Sequence, residues 1–296
     1  GAIIKTLRDN MCKANGRVAP SGSSCHRVKV PMGHTESTKD IVDLARYPIG
    51  DVESVEFVAH AAKGRRQYLK NGFCMLPNFI TATALRRLVE EANGVQDQAY
   101  FCKSTHNVYL TEPGSDLPED DVAYRGQKTF VGSVAYDRIG DSSTLKRLFL
   151  WEPLRHFVGA VLGKSEIYRS ADPLGACSIN VFVDGSEHGW HFDETEFSVT
   201  LMLQQSDIGG YFECVTGVRG TVEEKDILKD VLNDECSRVE ELPFAPGTLL
   251  IFGGRRSFHR VTQVGGSVSR LVPVLCYSET PNYTNSDPVR SLFWGR

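Results

Sequence analysis

His191, Phe192 and Asp193 form an H-x-D triplet in a segment that reads as β-strand, and a second histidine, His259, opens a later strand-like run behind a glycine turn. Residues two apart on a strand leave from the same face, so His191 and Asp193 can reach one metal ion together. His259 then completes a set of two imidazoles and one carboxylate. Neutral imidazole and carboxylate suit Fe(II), and no cysteine lies near enough in sequence to suggest a zinc thiolate site. Such a set leaves about three of six coordination positions open, which is what an oxygenase needs to bind a cosubstrate and O2 at once. An H-x-D triplet alone is common. Here Trp190, Phe192 and Phe197 flank it with aromatic walls able to exclude bulk water, and the run from Phe197 to Leu203 is apolar enough for a barrel interior.

Two neutral histidines and one aspartate leave Fe(II) with a net positive charge, which favours an anionic chelator. In this scheme 2-oxoglutarate coordinates through its C1 carboxylate and keto oxygen, and its C5 carboxylate lies desolvated in the barrel. A buried carboxylate without a partner is too costly, so an arginine fork is expected. Arg270 heads the run Leu271 to Tyr277, and its spacing from His259 allows one strand, a Gly265-Gly266 turn and a return to the same end of the sheet. Arg255 and Arg260 are fallback candidates that read more simply as surface or loop-anchoring residues. Ser178, Asn180 and Thr200 are polar positions in otherwise apolar strands and need partners. Asn180 and Thr200 are assigned to the cosubstrate, with a partner inside the sheet as the alternative. The histidines His26, His34, His60, His106 and His156 fall outside these strands and read as surface or packing residues.

The elements that must hold these groups begin with Asp51 to Leu69, where apolar residues recur at mostly helical spacing. Gly72 to Pro77 reads as a short strand, and Thr81 opens a helix that Asn93-Gly94 stops. Leu145 to Leu162 predicts a helix kinked or divided at Pro153. Short β-rich runs follow at 176–183, 196–204, 211–215, 247–252, 258–264 and 271–277, punctuated by Gly and Pro. They argue for an antiparallel barrel or sandwich and against βαβ units, in a mainly β chain with flanking helices (α+β). Residues 222–234 interrupt the pattern with a helical stripe of Ile227, Leu228, Val231 and Leu232. The acidic stretch Glu112 to Asp121 reads as a surface loop.

A chain of 296 residues with 41% hydrophobic content can bury an ordinary core without staples. Lys plus Arg total 33 against 37 Asp plus Glu, so the net charge of −4 gives no reason to expect a nucleic-acid partner. No apolar run reaches the ~18 residues of a membrane span. The eight cysteines are scattered without C-x-x-C or zinc-finger spacing, so they read as reduced thiols in a reducing, intracellular compartment. Residues 1–39 are basic and acid-poor, with Ser, Gly and Pro among them. They read as a flexible tail or the remnant of an organellar transit peptide for a plastid or mitochondrion, ahead of a single domain at 40–296.

Together these residues resemble the Fe(II)/2-oxoglutarate-dependent oxygenases over roughly Gly72 to Pro281. More narrowly, Ala171 to Gly175 (ADPLG), Asn180, Glu187 to Glu194 (EHGWHFDE), Thr200 to Gln204 and Phe258 to Thr262 are similar to a branch that acts on free amino acids and related small molecules. That branch includes amino-acid radical halogenases and kainoid synthases. The resemblance implies a double-stranded β-helix core (jelly-roll, cupin-like) at about 171–280, with Fe(II), 2-oxoglutarate and O2 as cofactors. It implies hydrogen abstraction from an unactivated C–H of an amino-acid-like small molecule, ending in hydroxylation or oxidative ring closure. The specific expectation is kainoid-type cyclisation of an N-prenylated glutamate. Halogenases of this branch carry glycine in place of the metal-binding carboxylate so that halide takes its position, and Asp193 therefore argues against chlorination. The resemblance also implies that His188 and Glu194 face the substrate, a turn histidine and a solvated glutamate being the plain alternatives. Two competing readings are a zinc hydrolase built on the same trio and a non-catalytic barrel that binds a small acid. The first lacks a general base of the H-E-x-x-H kind, and neither uses the cosubstrate chemistry that explains Arg270.

Overall fold

The computed structural model describes residues 40–296 except 111–117 and 119. The basic tail and most of the acidic loop therefore lie outside the described residues. The chain opens with α1 (Val55–Asn71), β1 (Phe73–Leu76), α2 (Ala82–Asn93), β2 (Tyr100–His106) and β3 (Gln127–Val134). Next come α3 (Thr144–Phe149), α4 (Glu152–Leu162), β4 (Tyr168–Arg169), β5 (Cys177–Phe182), β6 (Glu187–His191), β7 (Ser198–Leu201), β8 (Ile208–Gly209) and β9 (Phe212–Val215). The last elements are α5 (Glu224–Leu232), β10 (Glu240–Leu242), β11 (Leu249–Phe252), β12 (Phe258–Val261), β13 (Val264–Gly265), β14 (Arg270–Leu275), β15 (Tyr277–Ser278) and α6 (Asp287–Trp294). Among the described residues no helix is long and apolar enough to cross a membrane.

Local chemistry sets the helix ends. The Ser54 hydroxyl accepts from the Phe57 amide at 3.1 Å to start α1, and Gly72 ends it at a φ of 81°, which glycine adopts without strain. Thr81 caps α2 in the same way. The run from Leu145 to Leu162 divides into α3 and α4, with Pro153 in the first turn of α4, where its missing N–H leaves no helical bond unmade.

Among the described residues eleven strands form one antiparallel sheet ordered β1-β11-β7-β14-β5-β3-β6-β12-β9-β10, with β2 added to β3, and it folds into a double-stranded β-helix; β8 pairs with β13 and β4 with β15 in two small sheets of their own. β3 makes the turn between layers, because Gly132 to Val134 pair with β5 while Thr129 and Phe130 pair with β6. Side chains alternate across the sheet. Ile179, Val181, Val199, Leu201, Leu249, Ile251 and Leu271 pack outward against Phe57, Leu88, Leu154 and Phe157 of the helices. Their neighbours Phe73, Met202, Leu250, Phe252 and Val272 turn inward to a second cluster. Burial of each large side chain contributes about 1.5–3 kcal/mol, so the helical layer holds the sheet from outside and leaves the inner face for chemistry. Neither β2 nor β3 is predicted by the hydrophobic pattern. β2 (YFCKSTH) is an edge strand paired only with β3, and its residues alternate poorly because most are partly exposed.

The C-terminal segment returns over this inner face and packs on β2 and β3. Its anchor is Asp172, whose fully buried carboxylate accepts from the amides of Leu174, Gly175 and Asn285 at 2.7–2.8 Å and from Arg290 Nε at 3.0 Å. Trp294 Nε1 donates to Ser133 Oγ at 3.0 Å. A Cβ on Gly175 would stand 2.6 Å from the Trp294 ring, so the motif around Asp172 is shaped to receive this helix. A hydrogen bond between charged partners is worth enough that Arg290→Gln is expected to speed amide exchange in α6 by about tenfold, with β5 and β14 unchanged. Unchanged exchange in α6 would assign its anchoring to other contacts.

Candidate active site

His191 of β6 pairs directly with His259 of β12. Asp193 lies two residues beyond His191, where its amide donates to the Gly254 carbonyl at 3.1 Å. Gly254 leaves the space for that carboxylate, since a Cβ there would collide with Asp193 Oδ2. Ligand atoms of His191, Asp193 and His259 lie within 4.8 Å of one another, and Asp193 Oδ1 is 3.4 Å from His191 Nε2 and 3.5 Å from His259 Nε2. Nδ1 of His191 bonds the Gly189 carbonyl at 2.7 Å, and Nδ1 of His259 bonds the Ser257 carbonyl at 2.9 Å. A carbonyl only accepts, so each Nδ1 carries the proton and each Nε2 lone pair faces Asp193. Both imidazoles are buried, and burial, reinforced by His259, lowers the pKa of His191 and keeps it neutral. Burial works to raise the Asp193 carboxyl, but His259 and His191 beside it outweigh that and lower it below the usual carboxylate range, so the group is ionised. Two imidazole nitrogens and one carboxylate oxygen converging on one point are a donor set for a divalent metal, and Fe(II) suits it.

Arg270 opens β14 and is 2% exposed. Its guanidinium carbon sits 5.0 Å over the Phe182 ring, and Gly210, at a φ of 70°, lets the backbone approach its stem. Arg270 Nε is buried without a hydrogen-bond partner, and no ion pair with it occurs among the described residues. Burial lowers its pKa to about 9, so it is still a cation at neutral pH. An unpaired buried cation is a standing cost that a carboxylate ligand would relieve. Across the sheet Asn180 lies opposite Val272, and Val274 lies opposite both Ser178 and Thr200, so these polar residues share the face that carries Arg270. Arg260 instead pairs with Glu213 at 2.6 Å, and Arg255 donates to the Glu194 carbonyl, which confirms both as anchoring residues.

His188 also enters the site. Residues three apart on a regular strand face opposite ways, but β6 carries an extra residue between the pairs His191↔His259 and His188↔Val261. Both imidazoles therefore turn inward and stack with centroids 3.9 Å apart. Glu194 lies exposed on the loop after Asp193. His106 corrects the expectation of a surface or packing residue. It ends β2 within the main sheet, with ring centroids 6.2 Å from His188 and 6.1 Å from His191. Its strand lacks the pattern that would have revealed it. Ser133, opposite Asn180, and Trp294 above it were likewise invisible, because only the register of β3 and the return of the C-terminus bring them to the rim.

The family described as Halogenase D matches residues 58–289. No curated protein matches the sequence. Among solved structures, the non-heme alpha ketoglutarate dependent epimerase SnoN from nogalamycin biosynthesis is 12% identical, with 74% of this chain and 83% of that one covered at a TM-score of 0.52. AviO1 from Streptomyces viridochromogenes Tue57 is 15% identical, with 75% and 96% covered at 0.50. An oxidoreductase of the 2OG-Fe(II) oxygenase family from Burkholderia pseudomallei is 20% identical, with 74% and 91% covered at 0.46. At these identities the first two structures speak for the fold alone, and the family match spans the metal-ligand group and Arg270. The chain belongs to the Halogenase D family, and the match spans a trio of residues able to hold a metal ion.

Proposed function

We propose that the protein hydroxylates or oxidatively cyclises a small amino-acid-like substrate, with His191, Asp193 and His259 holding Fe(II) and Arg270 pairing with the C5 carboxylate of 2-oxoglutarate. The observation that carries this reading is Asp193, whose carboxylate reaches both imidazoles and fills the place a halide would need. Chlorination is thereby disfavoured within a family named for halogenation. When bound, iron and 2-oxoglutarate supply the oxidising power, with O2 consumed and succinate and carbon dioxide released.

The protein supplies geometry and exclusion of water. Phe212 stacks on His259 at 5.5 Å and Phe252 meets its edge at 4.9 Å, so the ligand is enclosed by rings. Trp190, Phe192 and Phe258 close the outer side. Asn180 and Thr200 offer hydrogen bonds to the cosubstrate, and His188, kept neutral mainly by burial, offers one to the substrate. Glu194, on the loop beyond, is a further substrate contact. For the substrate itself we infer an N-prenylated glutamate closed to a pyrrolidine ring, supported by the likeness of residues 171–175, 187–194 and 258–262 to kainoid synthases. A carbon radical held beside an alkene attacks it when the chamber keeps that carbon away from the iron.

Anaerobic addition of Fe(II) and 2-oxoglutarate is expected to produce a visible metal-to-ligand charge-transfer band, lost in Asp193→Ala and weakened in Arg270→Ala. A folded, iron-loaded wild type without the band would refute the oxygenase assignment of these residues. With an N-prenylated glutamate, cyclisation gives a product two hydrogen atoms lighter than the substrate, whereas hydroxylation adds one oxygen. Turnover of other amino acids with none of this one would remove the kainoid-type reading alone.

Arg270 makes a second expectation. Replacing an unpaired buried charge by an apolar side chain of similar length relieves desolvation. Arg270→Met is therefore expected to melt no lower than wild type without ligand, and to lose the rise in melting temperature that 2-oxoglutarate gives the wild type. An equal rise in both proteins would show that the cosubstrate does not bind through Arg270.

A further inference from the structure

We propose that Gln127 and Thr129 of β3, backed by His106, are positioning residues that clamp the bulge in β6 and so fix both the tautomer of His191 and the inward aim of His188. The proposal deepens the reading above, since its importance for iron rests on His191 being a ligand.

A bulge leaves strand amides without ladder partners, and buried amides must find acceptors elsewhere. The amides concerned are those of Gly189 and Trp190, between the two paired histidines. Both are taken by side chains of the neighbouring strand: Gly189 N–H donates to Thr129 Oγ1 and Trp190 N–H donates to Gln127 Oε1, each at 3.3 Å. Thr129 stands directly opposite His188 in the β3–β6 register. Gln127 Nε2 donates to the Gly126 carbonyl at 3.1 Å, which fixes the orientation of the amide and leaves its oxygen toward Trp190.

The Trp190 N–H and the Gly189 carbonyl belong to one planar peptide unit. Gln127 holds one end of that plane, and His191 Nδ1 donates to the other end at 2.7 Å. The grip on the N–H therefore sets where the carbonyl points, and the carbonyl decides which nitrogen of His191 bears the proton. Thr129 is held in turn. Its oxygen accepts from Gly189, so its own proton is free for His106 Nε2 at 2.7 Å, while His106 Nδ1 donates to the Asn107 carbonyl at 2.9 Å. Every donor in this chain meets an acceptor. The strands also come too close for any side chain at position 189, where a Cβ would lie 2.7 Å from the Lys128 carbonyl oxygen and 2.8 Å from Gln127 Cβ.

The test uses two pairs of variants in the full chain. Gln127→Met and Thr129→Val keep volume and remove the acceptor, whereas Gln127→Glu and Thr129→Ser keep an oxygen in place. Long-range proton–nitrogen NMR correlations of the metal-free protein are expected to show His191 protonated at Nδ1 in the wild type, Gln127→Glu and Thr129→Ser, and as a mixture of tautomers in Gln127→Met. Fe(II) affinity, read by competition with a chelator, is expected to fall about 10–100-fold in Gln127→Met and Thr129→Val, the usual cost of losing a partner behind a metal ligand. His191 remaining wholly protonated at Nδ1 in Gln127→Met, or Fe(II) affinity within about twofold of wild type in both acceptor-free variants, would overturn the clamp. If Gln127→Met does not fold, the Thr129→Val and Thr129→Ser pair decides by affinity. If the wild type binds no iron, the ligand assignment fails, and the tautomer measurement still judges the clamp.

Discussion

The site depends on the register that sets His191 of β6 opposite His259 of β12. A slip of one residue would turn one imidazole out of the chamber, because side chains alternate between faces. The outer face resists that slip. Trp190 stacks on Phe258 at 4.9 Å, and Phe192 meets Phe258 at 5.2 Å, within a cluster closed by Val215, Leu228 and Val231. A slip would expose aromatic side chains whose burial is worth about 1.5–3 kcal/mol each. The packing that protects the fold from outside thus holds the chelating geometry inside.

Charge is distributed over the inner face with the same economy. One ionised carboxylate, Asp193, stands between the imidazoles of His191 and His259, and the buried cation Arg270 has no ion-pair partner among the described residues. A divalent ion would relieve the first imbalance, and a dicarboxylate cosubstrate would offer one carboxylate to that ion and the other to Arg270. Around these charges the inner wall offers neutral hydrogen-bonding groups, namely Asn180, Ser133, Thr200 and His188.

Much of this was legible before the structure. The strands carrying the metal-ligand candidates and Arg270 showed themselves through apolar runs and glycine turns, and the helices through apolar spacing after Asp51, the start at Thr81 and the break at Pro153. Arg255, Arg260 and Arg270 could be ranked by position but separated only by their surroundings. Arg260 has Glu213 on the neighbouring strand, Arg255 has a loop carbonyl, and Arg270 has an aromatic ring and, among the described residues, no ion-pair partner. The polar edge strand β2 left no pattern, and His106 at its end was accordingly misplaced. His188 could be assigned to the substrate side by resemblance, but strand periodicity alone would have turned it away from His191.

The sequence by itself determined which groups could bind a metal and a dicarboxylate, because an H-x-D triplet, a histidine after a glycine turn and an arginine heading a strand are local facts of residue type and spacing, although β6 ends at His191 and leaves Asp193 on the segment that follows. Only the tertiary structure decided what surrounds them: the bulge that aims His188, the side chains of β3 that hold it, and the C-terminal helix fastened at Asp172. These depend on contacts between strands and segments far apart in the chain. Residue type and spacing encode the direction of a side chain, but not the partner that long-range pairing brings to it.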